Sequence, residues 1–265
     1  MASNLVYLSH VDMEWTKNNM LPLFSWRKSP EAQPVWFGFL WRLLLSDVLL
    51  PEMKRDCLLA ANAKYFNKLG NTKNRYSVLL ANIALRNVEK YNETELRAAF
   101  GKLPVEDGLT AVVETLETEL LEEGKSDEET QTTSREKRWE LIVRPFLQKY
   151  WPTTDIPDKQ NLSFLLFRLC IAVPSKFNEI FDLTRTGFGP MLSIDFQGIK
   201  KEKLCSLFPE TMLDFLTTTA SSESLSFDQA HYEECLSEIV SADPSLEEDG
   251  RYLDLRRKLG PLKQS

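Results

Sequence analysis

Val35 to Leu50 reads VWFGFLWRLLLSDVLL, and twelve of these sixteen residues are large and apolar. The run falls short of the roughly 20 apolar residues that cross a bilayer, and Arg42 interrupts it. Gly38, Arg42 and Ser46 stand at i, i+4 and i+8, with Asp47 beside them. That spacing predicts one helix over 35–50 with a single narrow polar or small stripe and apolar surface elsewhere. Such a helix needs neighbours on most sides. It is the expected hub of an α-helical core, and truncating Trp41 within it should cost about 3–5 kcal/mol.

The rest of the chain punctuates itself with proline and glycine. Residues 1–30 have no long period and scatter Tyr7, Trp15, Leu21, Leu23, Phe24 and Trp26 among polar residues. They read as an extended N-terminal strap across the helices, with Trp15 and the Leu21–Trp26 stretch docked. Pro51 ends the hub and suits the first turn of a helix over 52–69, which Gly70-Asn71 stops. A helix over 73–87 follows. Asn92 and Glu95 have the spacing of a capping box, and Pro104 closes the short helix they open. Leu109, Val112, Val113, Leu116 and Leu120 then share one helical face.

GKSDEETQTTS, residues 124–134, contains no apolar residue and reads as a flexible acidic linker. Beyond it, Trp139, Ile142, Val143, Phe146, Leu147 and Tyr150 repeat with helical period, with Pro145 marking a kink or a start near Arg144. Leu162 to Val173 and Phe177 to Thr184 form two pieces separated by Pro174. Asp243-Pro244 reads as an N-cap followed by proline at N1. No stretch alternates with period two. The expected fold is all-α: an irregular helical bundle, or a solenoid of stacked antiparallel helix pairs. The expected layout is a strap (1–30), a helical subdomain (31–123), the linker (124–134) and a second subdomain (135–265) packed on the first.

At 265 residues the chain is long enough to bury a full core without staples. Its four cysteines, Cys57, Cys170, Cys205 and Cys235, are far apart and form no CxxC motif. They read as buried thiols in a reducing compartment. With no basic, apolar and cleavage pattern at the start, the expected location is cytoplasmic. The net charge of −7 argues against nucleic acid as a partner. Its distribution is uneven: residues 104–130 carry ten acidic groups and one basic, and residues 223–249 carry nine and none. Both tracts read as solvated helix faces. The first 103 residues instead run basic by five.

Chemistry is hard to find. There are two histidines, His10 and His231, and only His231 with Cys235 has chelating i, i+4 spacing. Two further soft ligands are missing, so no metal is expected. GFGP at 187–190 has no strand–helix context for a dinucleotide. Glu233-Glu234 and Glu247-Glu248-Asp249 read as surface charge. Catalytic, cofactor and metal residues are therefore none. The candidate contacts for a partner are Trp15, Leu23, Phe24 and Trp26, because no cap helix is expected before Val35 and this apolar strap would be left for another chain or domain.

Several landmarks together resemble a family. They are Trp15 with LPLFSW at 21–26, VWFGFLW at 35–41, Trp139 with RPFLQKYWP at 144–152, FRLCIAVPSKFNEIFDL at 167–183 and ADPSLEEDGRYLDLRRKLG at 242–260. The arrangement is similar to the C-terminal helical region of large bacterial anti-phage defence proteins that carry a sirtuin-like, NAD-hydrolysing domain. The resemblance implies a non-catalytic sensor or assembly module, either a detached C-terminal part or a separate subunit. Its partner would be an effector domain, a subunit or a phage protein; the short apolar run points to no membrane and the charge disfavours nucleic acid. The competing class is an independent helical enzyme with an unrecognised Cys/His or carboxylate site.

Overall fold

The computed structural model describes residues 4–121, 134–154 and 156–260. Every regular element among them is helical and none is a strand, as the sequence periodicity requires. The expected linker at 124–134 lies outside the described residues except for Ser134. The chain clusters into two compact units: residues 1–115 with 145–154, and residues 116–144 with 155–265. These units do not follow the 31–123 and 135–265 division read from the sequence, because 145–154 belongs to the first.

The first unit begins with helices rather than an extended strap. Helices α1 (Leu5–Val11) and α2 (Met13–Asn19) are followed by a 3-10 turn at Leu21–Phe24. They are too short to show a period in sequence. Asp12 breaks them apart: its extended backbone ends α1, and its side chain accepts from the Trp15 amide to start α2. Two helices therefore do precede Val35, contrary to the expected lack of a cap.

The hub is also shorter than the apolar run. Helix α3 spans Ala32–Trp41 and stops there; α4 starts only at Leu50 and runs to Ala60. The residues of the expected polar stripe act as terminators instead. Arg42 is the C-cap of α3. The Arg75 guanidinium donates to the carbonyls of Leu40 and Trp41, which a longer helix would have used internally. Ser46 begins the next turn, its hydroxyl accepting from the Leu49 amide and its carbonyl from Leu49 and Leu50.

Trp36, fully buried on α3, is the centre of this unit. Phe24, Phe39 and Tyr76 meet it edge-on at 5.3, 6.0 and 6.4 Å, and Trp26 stacks on it. Each polar aromatic head finds a carbonyl: Trp36 Nε1 donates to Phe24 (2.9 Å), Trp26 Nε1 to Asp56 (3.1 Å) and Tyr76 Oη to Cys57 (2.8 Å). Short helix α5 (Ala63–Phe66) leads through Gly70, whose φ of +55° suits glycine, into α6 (Lys73–Leu85). Helix α7 (Glu93–Phe100) carries the expected Asn92/Glu95 capping box complete. Helix α8 (Thr110–Leu121) follows it. A wide turn at Trp139–Val143 then gives way to α9 (Arg144–Tyr150) beside Pro145, and Phe146 of α9 packs edge-on against Phe100 at 5.3 Å.

In the second unit, α10 (Gln160–Ala172), α11 (Phe177–Thr184), α12 (Phe196–Lys201), α13 (Leu204–Leu207), α14 (Pro209–Thr219), α15 (Ser222–Phe227), α16 (Gln229–Ala242) and α17 (Gly250–Leu259) enclose a phenylalanine core. Phe167 stacks on Phe215 at 4.7 Å, and Phe177, Phe181 and Phe188 surround Phe215 edge-on. A Cβ at Gly198 would come within 2.7 Å of Ile171 Cδ1, so α12 approaches α10 as closely as glycine permits.

Candidate functional site

Of the four residues expected to meet a partner, two are core. Phe24 is 1% exposed and Trp26 is 7% exposed, so neither can bind another chain. Leu23 is half-buried. Only Trp15 is open, on the outer side of α2, together with Tyr7 and Val11 of α1. The expected partner surface over Trp15 to Trp26 is therefore internal packing except at Trp15. The reason is hydrogen bonding as well as burial: Asp56 on α4 accepts from the Trp26 amide through its side chain and from the indole through its carbonyl.

The open aromatic surface lies on α3 instead. Trp36, Phe39 and Leu40 point inward at i, i+3 and i+4, which turns Phe37 and Trp41 outward. Phe37 is 41% exposed and Trp41 57%, and their rings stack 5.7 Å apart with planes inclined by 24°. Trp41 is thus a surface residue, not the core residue expected from a 35–50 helix. Arg75 of α6 sits 5.2 Å from the Trp41 ring while donating to the last carbonyls of α3. Arg42 bridges to the Asn4 side chain at 2.9 Å, tying the start of α1 to the end of α3. Leu44 and Val48 on the connection beyond are exposed as well. Neither Arg42 nor Arg75 has a carboxylate within ion-pair distance among the described residues. Phe37 and Trp41 are one helical turn apart, each rotated about 100° from the inward Trp36 and Leu40.

The thiols lie in the interior. All four cysteines are buried and unpaired by disulfides. Burial pushes the Cys57 thiol up to about 12. Burial also raises Cys170, and the neighbouring Cys235 thiol, followed by burial, raises Cys205. A thiol at such values is not a nucleophile at neutral pH. His231 stacks on Phe196 at 5.3 Å, and His10 bonds the Val6 carbonyl of its own helix. Among the described residues, no three His, Cys, Asp or Glu side chains gather as a metal would need. No helix among them is long and apolar enough to cross a membrane. Comparison of the chain with protein-family models, curated proteins and solved structures finds no match.

Proposed function

We propose that this chain is a non-catalytic interaction module that docks a protein partner on the Phe37–Trp41 face of α3. The observation that carries the reading is a stacked aromatic pair open to solvent, with the Arg75 guanidinium over the Trp41 ring. Trp and Arg are the residue types on which binding energy concentrates, and a pre-ordered aromatic loses little entropy on docking. Arg42 and Arg75 beside the pair favour a partner surface that offers an apolar pocket rimmed by carboxylates. The landmark resemblance supports the narrower reading, a sensing or assembly part of a bacterial anti-phage defence system whose enzymatic work is done by another polypeptide or domain.

The test is copurification with the products of the adjoining open reading frames, using wild type and the Phe37→Ser/Trp41→Ser double variant. One such product should be retained by wild type and reduced at least tenfold by the variant, while the melting temperature falls by no more than about 4 °C, because both side chains are largely exposed. Equal retention by both forms, or no retention by either, overturns the reading. Purified chain alone should not hydrolyse NAD. Turnover abolished by a single cysteine or histidine substitution would move the chain to the enzyme class.

A further inference from the structure

A recess of about 540 Å³ opens on the exposed side of α4 in the first unit, lined by residues that include Pro51, Leu58 and Leu59 as well as charged groups. Four cations reach it, Arg27, Lys54, Arg55 and Lys102, against two carboxylates, Glu52 and Glu95. The carboxylates are already engaged. Glu95 pairs with Lys54 at 2.6 Å and accepts from the Asn92 amide in the capping box. Glu52 pairs with Lys90 at 2.8 Å and Lys17 at 3.4 Å. Both carboxyls are held below their ordinary range, chiefly by hydrogen bonds from Lys90 to Glu52 and from Lys54 to Glu95. Asp56, the next acid on α4, accepts from the Trp26 amide.

Arg27, Arg55 and Lys102 are left with no carboxylate within ion-pair distance among the described residues, although they converge on one cavity. A recess in the second unit, lined by Arg135, Arg168 and Lys201, is more nearly compensated: Arg168 forms two bonds to Glu117 and Lys201 pairs with Glu202, which leaves Arg135 alone without a carboxylate at ion-pair distance among the described residues. Uncompensated positive charge in a concave, partly apolar setting raises the local concentration of anions. Two guanidiniums add the forked donor geometry that suits phosphate oxygens. The volume falls in the range of small-molecule sites, and the half-buried Leu58 and Leu59 offer an apolar wall for a ring.

We infer that the α4 recess binds a phosphorylated small molecule of nucleotide size, with Arg27, Arg55 and Lys102 on the phosphates and the Leu58–Leu59 wall against its organic part. This inference is independent of the Phe37–Trp41 face. It is tested by calorimetric titration of the full chain with ATP, pyrophosphate and adenosine, each to 1 mM without magnesium. ATP should bind, pyrophosphate more weakly, and adenosine not measurably. Arg55→Glu/Lys102→Glu should weaken ATP binding at least tenfold, with the melting temperature of the free protein unchanged because both side chains are exposed. Raising salt from 50 to 300 mM should weaken it as well. The Phe37→Ser/Trp41→Ser variant should bind ATP as wild type does. No heat from either phosphate compound, adenosine binding as well as ATP, or binding indifferent to the charge reversal overturns the inference.

Discussion

Trp26 lies flat on Trp36, with ring centroids 5.8 Å apart and planes within 8° of parallel. The first residue precedes the apolar run and the second sits inside it, so the N-terminal segment is part of the core of this unit. Trp26→Ala should therefore destabilise by about 3–5 kcal/mol, the cost of truncating a large buried side chain. Trp41→Ala, five residues beyond Trp36 but on the open side, should cost less than about 1 kcal/mol. Urea unfolding midpoints of the two variants check the pair. Equal losses would show that Trp41 is also core.

What was legible in the sequence followed local rules. The Asn92/Glu95 box, the helix start beside Pro145 and the Asp243-Pro244 cap all formed where their residues stand, because each depends on neighbours within four positions. The hub failed because its end is set from a distance. Arg75 of α6 captures the α3 carbonyls, and nothing in VWFGFLWRLLLSDVLL announces it. The aromatic face was missed for the same reason, since a helix taken as apolar on all sides has no outside. Helices α1 and α2, at seven residues each, are too brief for periodicity to reveal.

Two buried indoles offer a controlled comparison. Trp36 Nε1 donates to the Phe24 carbonyl, whereas Trp151 Nε1 has no hydrogen-bond partner among the described residues. Replacement by phenylalanine removes a bond and orphans a buried carbonyl in the first case, and removes an unmet donor in the second. Trp36→Phe should cost about 1–2 kcal/mol more than Trp151→Phe in denaturant midpoints at pH 7. The reverse order would mean that the Trp151 indole is paired in solution.

Arg75 should matter beyond its charge. Its guanidinium closes the end of α3 and stacks on Trp41, so Arg75→Ala removes a C-terminal cap and a cation–π contact together. The expected cost is about 1–2 kcal/mol. Faster amide exchange should appear at Leu43, whose amide donates to Leu40 at 3.2 Å. Arg75→Lys keeps the charge but not the forked guanidinium that bonds both carbonyls, and should recover only part of the loss. Full rescue by lysine would assign the effect to charge alone.

Asp249 gives the fold a measurable response to acid. It is the N-cap of α17, accepting from the Arg251 amide at 2.7 Å, and its carboxylate is gripped by the Arg251 guanidinium at 2.8 and 3.0 Å. Those bonds, the guanidinium's first, lower the carboxyl from 3.8 to about 2. A depressed carboxyl stabilises the fold in full above its ordinary value, and the contribution fades as pH falls through 3.8 towards 2. The side chain is still 24% exposed, so solvent screening keeps the effect near that of an ordinary cap. Asp249→Ala should cost about 1 kcal/mol at pH 7. Asp249→Asn, which caps without charge, should cost less. The gap between wild type and the alanine variant should narrow steadily between pH 4 and pH 2.5 while both remain folded, followed by unfolding midpoints at each pH. A gap that stays constant across this window would show that the Asp249 carboxylate carries no proton-linked stability.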